Sequence, residues 1–85
     1  MLELDLALTA RQALAECRRR GLVVRSEREL GGRAGSSHWH LGFPDRPGTL
    51  ELNDSDGRVW VKVHSLRDGG WATEVAHELA EVPPD

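Results

Sequence analysis

Residues 36–43, Ser-Ser-His-Trp-His-Leu-Gly-Phe, alternate in chemistry from one position to the next. A β-strand turns successive side chains to opposite faces, so this stretch sets Trp39, Leu41 and Phe43 on one side and His38, His40 and Gly42 on the other. Such a strand must pair with neighbours and bury one face only, which restricts the chain to a sheet with a core on one side and an open surface on the other. Residues 58–64 repeat the pattern. Val59, Val61 and Val63 fall on the core side, while Trp60, Lys62 and His64 join His38, His40, Thr49 and Glu51 on the open side.

The segments between these strands carry turn chemistry. Pro44-Asp45-Arg46-Pro47-Gly48 marks one turn and leads into a strand over Thr49 to Asn53, with Leu50 and Leu52 on one face. Asp54-Ser55-Asp56-Gly57 marks the next, with Asp-Gly supplying the positive backbone angles of a tight hairpin. Its Asp-x-Asp-Gly start is like that of a calcium loop, but the twelfth position, where a bidentate Glu is needed, is Ser65. Leu22 to Glu27 reads as a further strand. The run Gly31 to Ser36 that follows lacks both the Lys-Ser/Thr ending and the helix start of a phosphate loop, so it reads as a plain connection.

Two helices frame these strands. Thr9 and Gln12 form a capping box, Ala10, Ala13, Leu14 and Cys17 recur at helical spacing, and Gly21 sits where a left-handed residue ends the helix, giving Ala10 to Arg20. The second helix begins after Asp68, a candidate cap, shows a stripe of Ala72, Val75, Ala76 and Leu79, and stops at Pro83-Pro84. Glu74, His77, Glu78 and Glu81 form its solvated side. Residues 1–8 read either as a short edge strand or as a loose terminus. The order helix, three to four antiparallel strands, helix predicts a single two-layer α+β domain over 1–85, with both helices on one sheet face.

Composition narrows the partners. The net charge of −3 does not favour sequence-independent nucleic-acid binding, but it hides an asymmetry: residues 1–48 carry a net +2 and residues 49–85 a net −5. Arg18, Arg19, Arg20, Arg25, Arg28 and Arg33 form the basic part, read first as a solvated helix end and second as a phosphate site. No apolar run approaches a membrane span, the start lacks the pattern of a signal peptide, and the lone Cys17 lies on an apolar helical stripe, so the expected setting is cytoplasmic.

Several of these motifs together resemble the HicA family of toxin ribonucleases, whose fold is like the double-stranded-RNA-binding domain. Thr9 to Leu22 looks like the family's capped first helix, Ser37-His38 with Pro44 six residues on looks like its Gly-Ser-His strand ending in Pro, and Asp56 to His64 is similar to its last strand. The resemblance implies a metal-independent endoribonuclease without cofactor, an antitoxin of the HicB type as partner, and His38 as the catalytic residue. A histidine that titrates near neutrality can move the ribose 2′-hydroxyl proton with no metal. Ser37, His40, Trp60, Lys62, His64, Arg25 and Arg33 are then candidates for holding RNA or a partner. The chain departs from the family at Ser36, where Gly is usual, and in an extra hairpin strand. The competing expectation is a non-catalytic module that uses Trp60 and the histidines of the open face to bind single-stranded RNA, a protein partner or a second copy of the chain. The spacing of His38 and His40, with His64 on a neighbouring strand, also permits a metal site, but no nearby carboxylate or cysteine completes a tetrahedron and no metal is assigned.

Overall fold

The computed structural model describes residues 1–29, 36–64 and 70–84, without the side chains of Arg28 and Glu29. Its elements are β1 (Leu2–Asp5), α1 (Ala10–Arg19), β2 (Val23–Glu29), β3 (Ser37–Gly42), β4 (Leu50–Ser55), β5 (Arg58–Val63) and α2 (Trp71–Glu81). The strands form one sheet in the order β1-β5-β4-β3-β2, and every neighbouring pair is antiparallel. Strands β2 to β5 run as a meander, and α1 carries the chain from β1 at one edge to β2 at the other. The domain is α+β, as its alternating strands and helical stripes imply.

The sheet has five strands rather than three to four. The additional strand is the N-terminal segment, where Leu2 and Leu4 pair with Val63 and Val61, and the Leu6 amide donates to the Val59 carbonyl at 2.8 Å. The two leucines pack against the core while Glu3 and Asp5 stay exposed, so the alternation of residues 1–8 reports an edge strand and not a loose end. Strand β4 also runs two residues further than Asn53. Asp56 and Gly57 alone make the turn, with φ of 51° and 81°, the pair of positive angles that a two-residue hairpin matched to strand twist requires.

The first helix is capped as its sequence implies. Thr9 Oγ1 accepts from the Gln12 amide at 3.1 Å, Gln12 Oε1 accepts from the Thr9 amide at 2.9 Å, and Gly21 follows the end at φ 92°. For α2 the N-cap is Gly70, two residues beyond the candidate Asp68, which lies outside the described residues. Trp71 opens this helix and is buried. Its indole N–H donates to the Pro47 carbonyl at 2.9 Å, and its ring meets Phe43 edge-on at 4.8 Å.

The apolar stripes of both helices meet the core side of the sheet: Ala13, Cys17, Ala72, Val75, Ala76 and Leu79 pack with Trp39, Leu41, Leu50, Leu52, Val59, Val61 and Val63. Burial pushes the Cys17 thiol up to about 11, so it is a core side chain without thiolate reactivity near neutral pH. With both helices on one side, the opposite sheet face is left to polar residues. Among the described residues no helix is long and apolar enough to cross a membrane.

Candidate functional site on the open sheet face

Strand register sets which side chains of this face become neighbours. One lateral row runs Ser26, His40, Glu51, Lys62 and Glu3 across all five strands, and the next runs His38, Asn53, Trp60 and Asp5. His38, His40, Trp60, Lys62 and His64 therefore do share one face. Ser37 has the parity of Trp39 and Leu41, and its neighbour Ser36 is buried with its Oγ 2.8 Å from Ser55 Oγ. Arg33 lies outside the described residues.

Glu51 is the hub of the face. Its Oε1 lies 3.3 Å from His40 Nε2 and 3.3 Å from His64 Nε2, and its Oε2 accepts from Asn53 Nδ2 at 3.0 Å. Partial burial works against the charged form of this carboxyl, but the hydrogen bonds from Asn53, His64 and His40 outweigh it and hold Glu51 below the ordinary carboxylate value. An ionised carboxylate only accepts, so both histidines must present Nε2–H to it. In neutral His40 that leaves the Nδ1 lone pair, which lies 3.1 Å from Ser26 Oγ. His64 is exposed, and by the same reasoning its Nδ1 is an open acceptor.

His40 is thus engaged at both ring nitrogens, and His38 stacks on it with ring centroids 5.1 Å apart and an interplanar angle of 25°. His38 itself has no hydrogen bond among the described residues. Asn53 is 2% exposed between His38 and Trp60, which explains how a polar amide is buried on an otherwise open surface. No three His, Cys, Asp or Glu side chains among the described residues converge as a metal cage.

The cations of the face are mostly committed elsewhere. Arg58 Nε and Nη2 donate to Asp5 at 2.7 Å and Glu3 at 3.0 Å, and the guanidinium covers the Trp60 ring at 4.3 Å from its centroid. Trp60 is thereby not an open stacking platform, and its indole N–H is buried without an acceptor among the described residues. Within the basic segment, Arg19 pairs with Glu16, and Arg20 bonds Glu78 at 2.8 Å and the Glu16 carbonyl at 3.0 Å. Lys62 has no ion pair among the described residues.

Arg25, a candidate for binding RNA or a partner, has a structural task. It is the residue at which the β2–β3 register shifts, and its guanidinium donates to the carbonyls of Gly48 at 2.8 Å, Phe43 at 2.8 Å and Arg46 at 3.3 Å. Gly42 makes room for it, since a Cβ there would lie 2.7 Å from both Nη atoms. Arg25→Ala is expected to cost about 1–2 kcal/mol, net of solvation, for the loss of the clamp on residues 43–48. Gly42→Ala should cost a similar amount by displacing the guanidinium. Urea unfolding of the double variant should show no more loss than Arg25→Ala alone, and additive losses would mean that Gly42 serves some other purpose.

Three residues of this cluster were not singled out by sequence. Alternation places Glu51 on the face without giving it a role, Asn53 reads as the last residue of its strand, and Ser26 falls in the polar outer half of the strand from Leu22 to Glu27. Only register brings Ser26 beside His40, and the bulge that sets this register has no periodicity. Comparison with family models, curated proteins and solved structures gave no match. The reading of the site therefore rests on its own chemistry.

Proposed function

We propose that the chain is an RNA-directed, metal-independent endoribonuclease of the HicA type, with His38 as its proton-transfer group. The observation that carries this reading is an imidazole without hydrogen-bond partners among the described residues, stacked on a second imidazole that is anchored at both nitrogens. Such an arrangement limits ring motion while leaving both His38 nitrogens available to a 2′-hydroxyl or a leaving 5′-oxygen. Lys62 supplies a positive charge on the same face without an ion pair among the described residues. The helix–meander–helix order from α1 to α2, with both helices on one sheet face, supports likeness to the double-stranded-RNA-binding domain, and β1 adds an edge strand to it. On this reading a HicB-type antitoxin is the partner and the cytoplasm is the setting.

The test is incubation with mixed-sequence single-stranded RNA in the presence of EDTA. Wild-type protein is expected to cleave it, and His38→Ala to lower the rate by about 100-fold or more with an unchanged circular dichroism spectrum. Expression of the wild type should arrest growth, and the variant should not. A wild type that neither cleaves RNA nor arrests growth overturns the enzyme reading.

The non-catalytic module is the second reading, and the tethering of Arg25 and Arg58 favours its protein-partner form, because phosphate contacts need free cations. Binding of RNA without cleavage in the same assay supports it. No response to RNA, together with self-association, points to a homodimer through the open face.

A further inference from the structure

Ser26, His40 and Glu51 stand side by side on β2, β3 and β4, and their polar atoms form one chain. Ser26 Oγ is 3.1 Å from His40 Nδ1, and His40 Nε2 is 3.3 Å from Glu51 Oε1. We propose that this row is a nucleophile, its general base and the carboxylate that orients the base, and that it hydrolyses small, unhindered acyl esters.

The polarity of the chain is what the chemistry requires. Glu51 can only accept, so it fixes the Nε2–H tautomer of neutral His40 and turns the Nδ1 lone pair to the Ser26 hydroxyl. A serine hydroxyl is a weak nucleophile until an adjacent base takes its proton, and a triad is recognised by these roles and distances and not by its position in the chain. Glu51 is held in turn by Asn53 on Oε2 and by His64 on Oε1. His40 and Glu51 sit on interior strands of the sheet, whereas Ser26 sits on an edge strand, next to the bulge at Arg25. Rigid support for the base and solvent access to the nucleophile thus come from the same register. The hollows lined by Leu8, Gln12 and Val82 and by Leu6, Asp54 and Val59 border α1, away from this row.

In the reaction Ser26 Oγ bonds to the ester carbonyl carbon while its proton passes to His40 Nδ1. Collapse of the tetrahedral intermediate breaks the carbon–alkoxide bond, and the leaving alkoxide takes the proton from His40. Water then attacks the acyl-serine with His40 again as base, and the products are a carboxylic acid, an alcohol and free Ser26. Ser26 and His40 are the catalytic residues, and Glu51 is a positioning residue. The groups facing His40 are His38 on its own strand, Ser26 on β2 and Glu51 on β4, with His64 and Lys62 next to Glu51.

The test uses p-nitrophenyl acetate with the full chain. The expected result is a burst of p-nitrophenolate and an acetyl adduct on the peptide containing Ser26, absent in Ser26→Ala and retained in Ser26→Cys. His40→Gln should slow acylation by about 100-fold or more. Glu51→Gln should slow acylation at an unchanged KM, and Glu51→Asp, which keeps the carboxylate, should restore part of the rate, a rescue that a purely structural role would not produce. Acetylation confined to other residues, or equal bursts from the wild type and Ser26→Ala, overturns the proposal and leaves the His38 reading untouched, since that one is scored on RNA.

Discussion

Replacing Leu52 by Ala is expected to remove about 2–5 kcal/mol of stability, the range for emptying a fully buried leucine site. Leu52 is 0% exposed on β4, the middle strand of the five, and it pairs with Trp39 on one side and Val61 on the other. A strand with paired neighbours on both sides and helices above cannot collapse into the space, so both the transfer term and the cavity term apply. Domains of this length have total stabilities of about 4–13 kcal/mol, so the loss is a large fraction of the whole. Urea unfolding followed by circular dichroism should show a lower midpoint with an unchanged slope. Val23→Thr is the control. Val23 is 43% exposed on the edge strand β2, and its replacement should stay within about 0.5 kcal/mol. Similar losses at both positions would mean that the core is not centred on β4.

Glu51→Gln is expected to cost about 1–3 kcal/mol at neutral pH and progressively less as the solution is acidified. Glu51 presents two acceptor oxygens to His40, His64 and Asn53, and its side chain is only 12% exposed. Glutamine offers one acceptor and turns an amide donor toward the remaining donors, so at least one of them, Asn53 Nδ2 among the candidates, loses its acceptor in a buried place. The pH dependence follows from the lowered carboxyl pKa. A group whose value falls on folding adds stability that is fully present above its unfolded value, about 4.3, and is lost as pH drops through the lower folded value. Urea midpoints of wild type and variant, compared between pH 7 and pH 3, should therefore converge only toward the acid end. A gap that stays constant across that range would mean that the charge of Glu51 contributes nothing to the cluster.

The residues that were legible in advance are those whose role depends on local pattern. Thr9 and Gln12 cap a helix because a hydroxyl and an amide three residues apart satisfy each other's backbone, wherever the helix sits. Asp56-Gly57 makes a two-residue turn because both residues tolerate positive φ. The partners of Arg25 were not legible, because a side chain's neighbours in a sheet come from other strands. Arg25 finds three carbonyls in residues 43–48. The N-terminal segment was ambiguous because a four-residue strand has no stability of its own, and the hydrogen bonds of β5 decide its state.

The stretch of residues 36–43 shows where the division falls. By itself the sequence determined that Trp39 and Leu41 face the core and that His38 and His40 do not, because a period of two leaves no other arrangement for a half-buried strand. Only the tertiary structure decided that His40 stands between Ser26 and Glu51, that His64 reaches the same carboxylate, and that His38 is left with a stacked ring and no hydrogen bond among the described residues. Those contacts depend on the register of four strands and on one bulge at Arg25, where a shift of a single residue exchanges the faces.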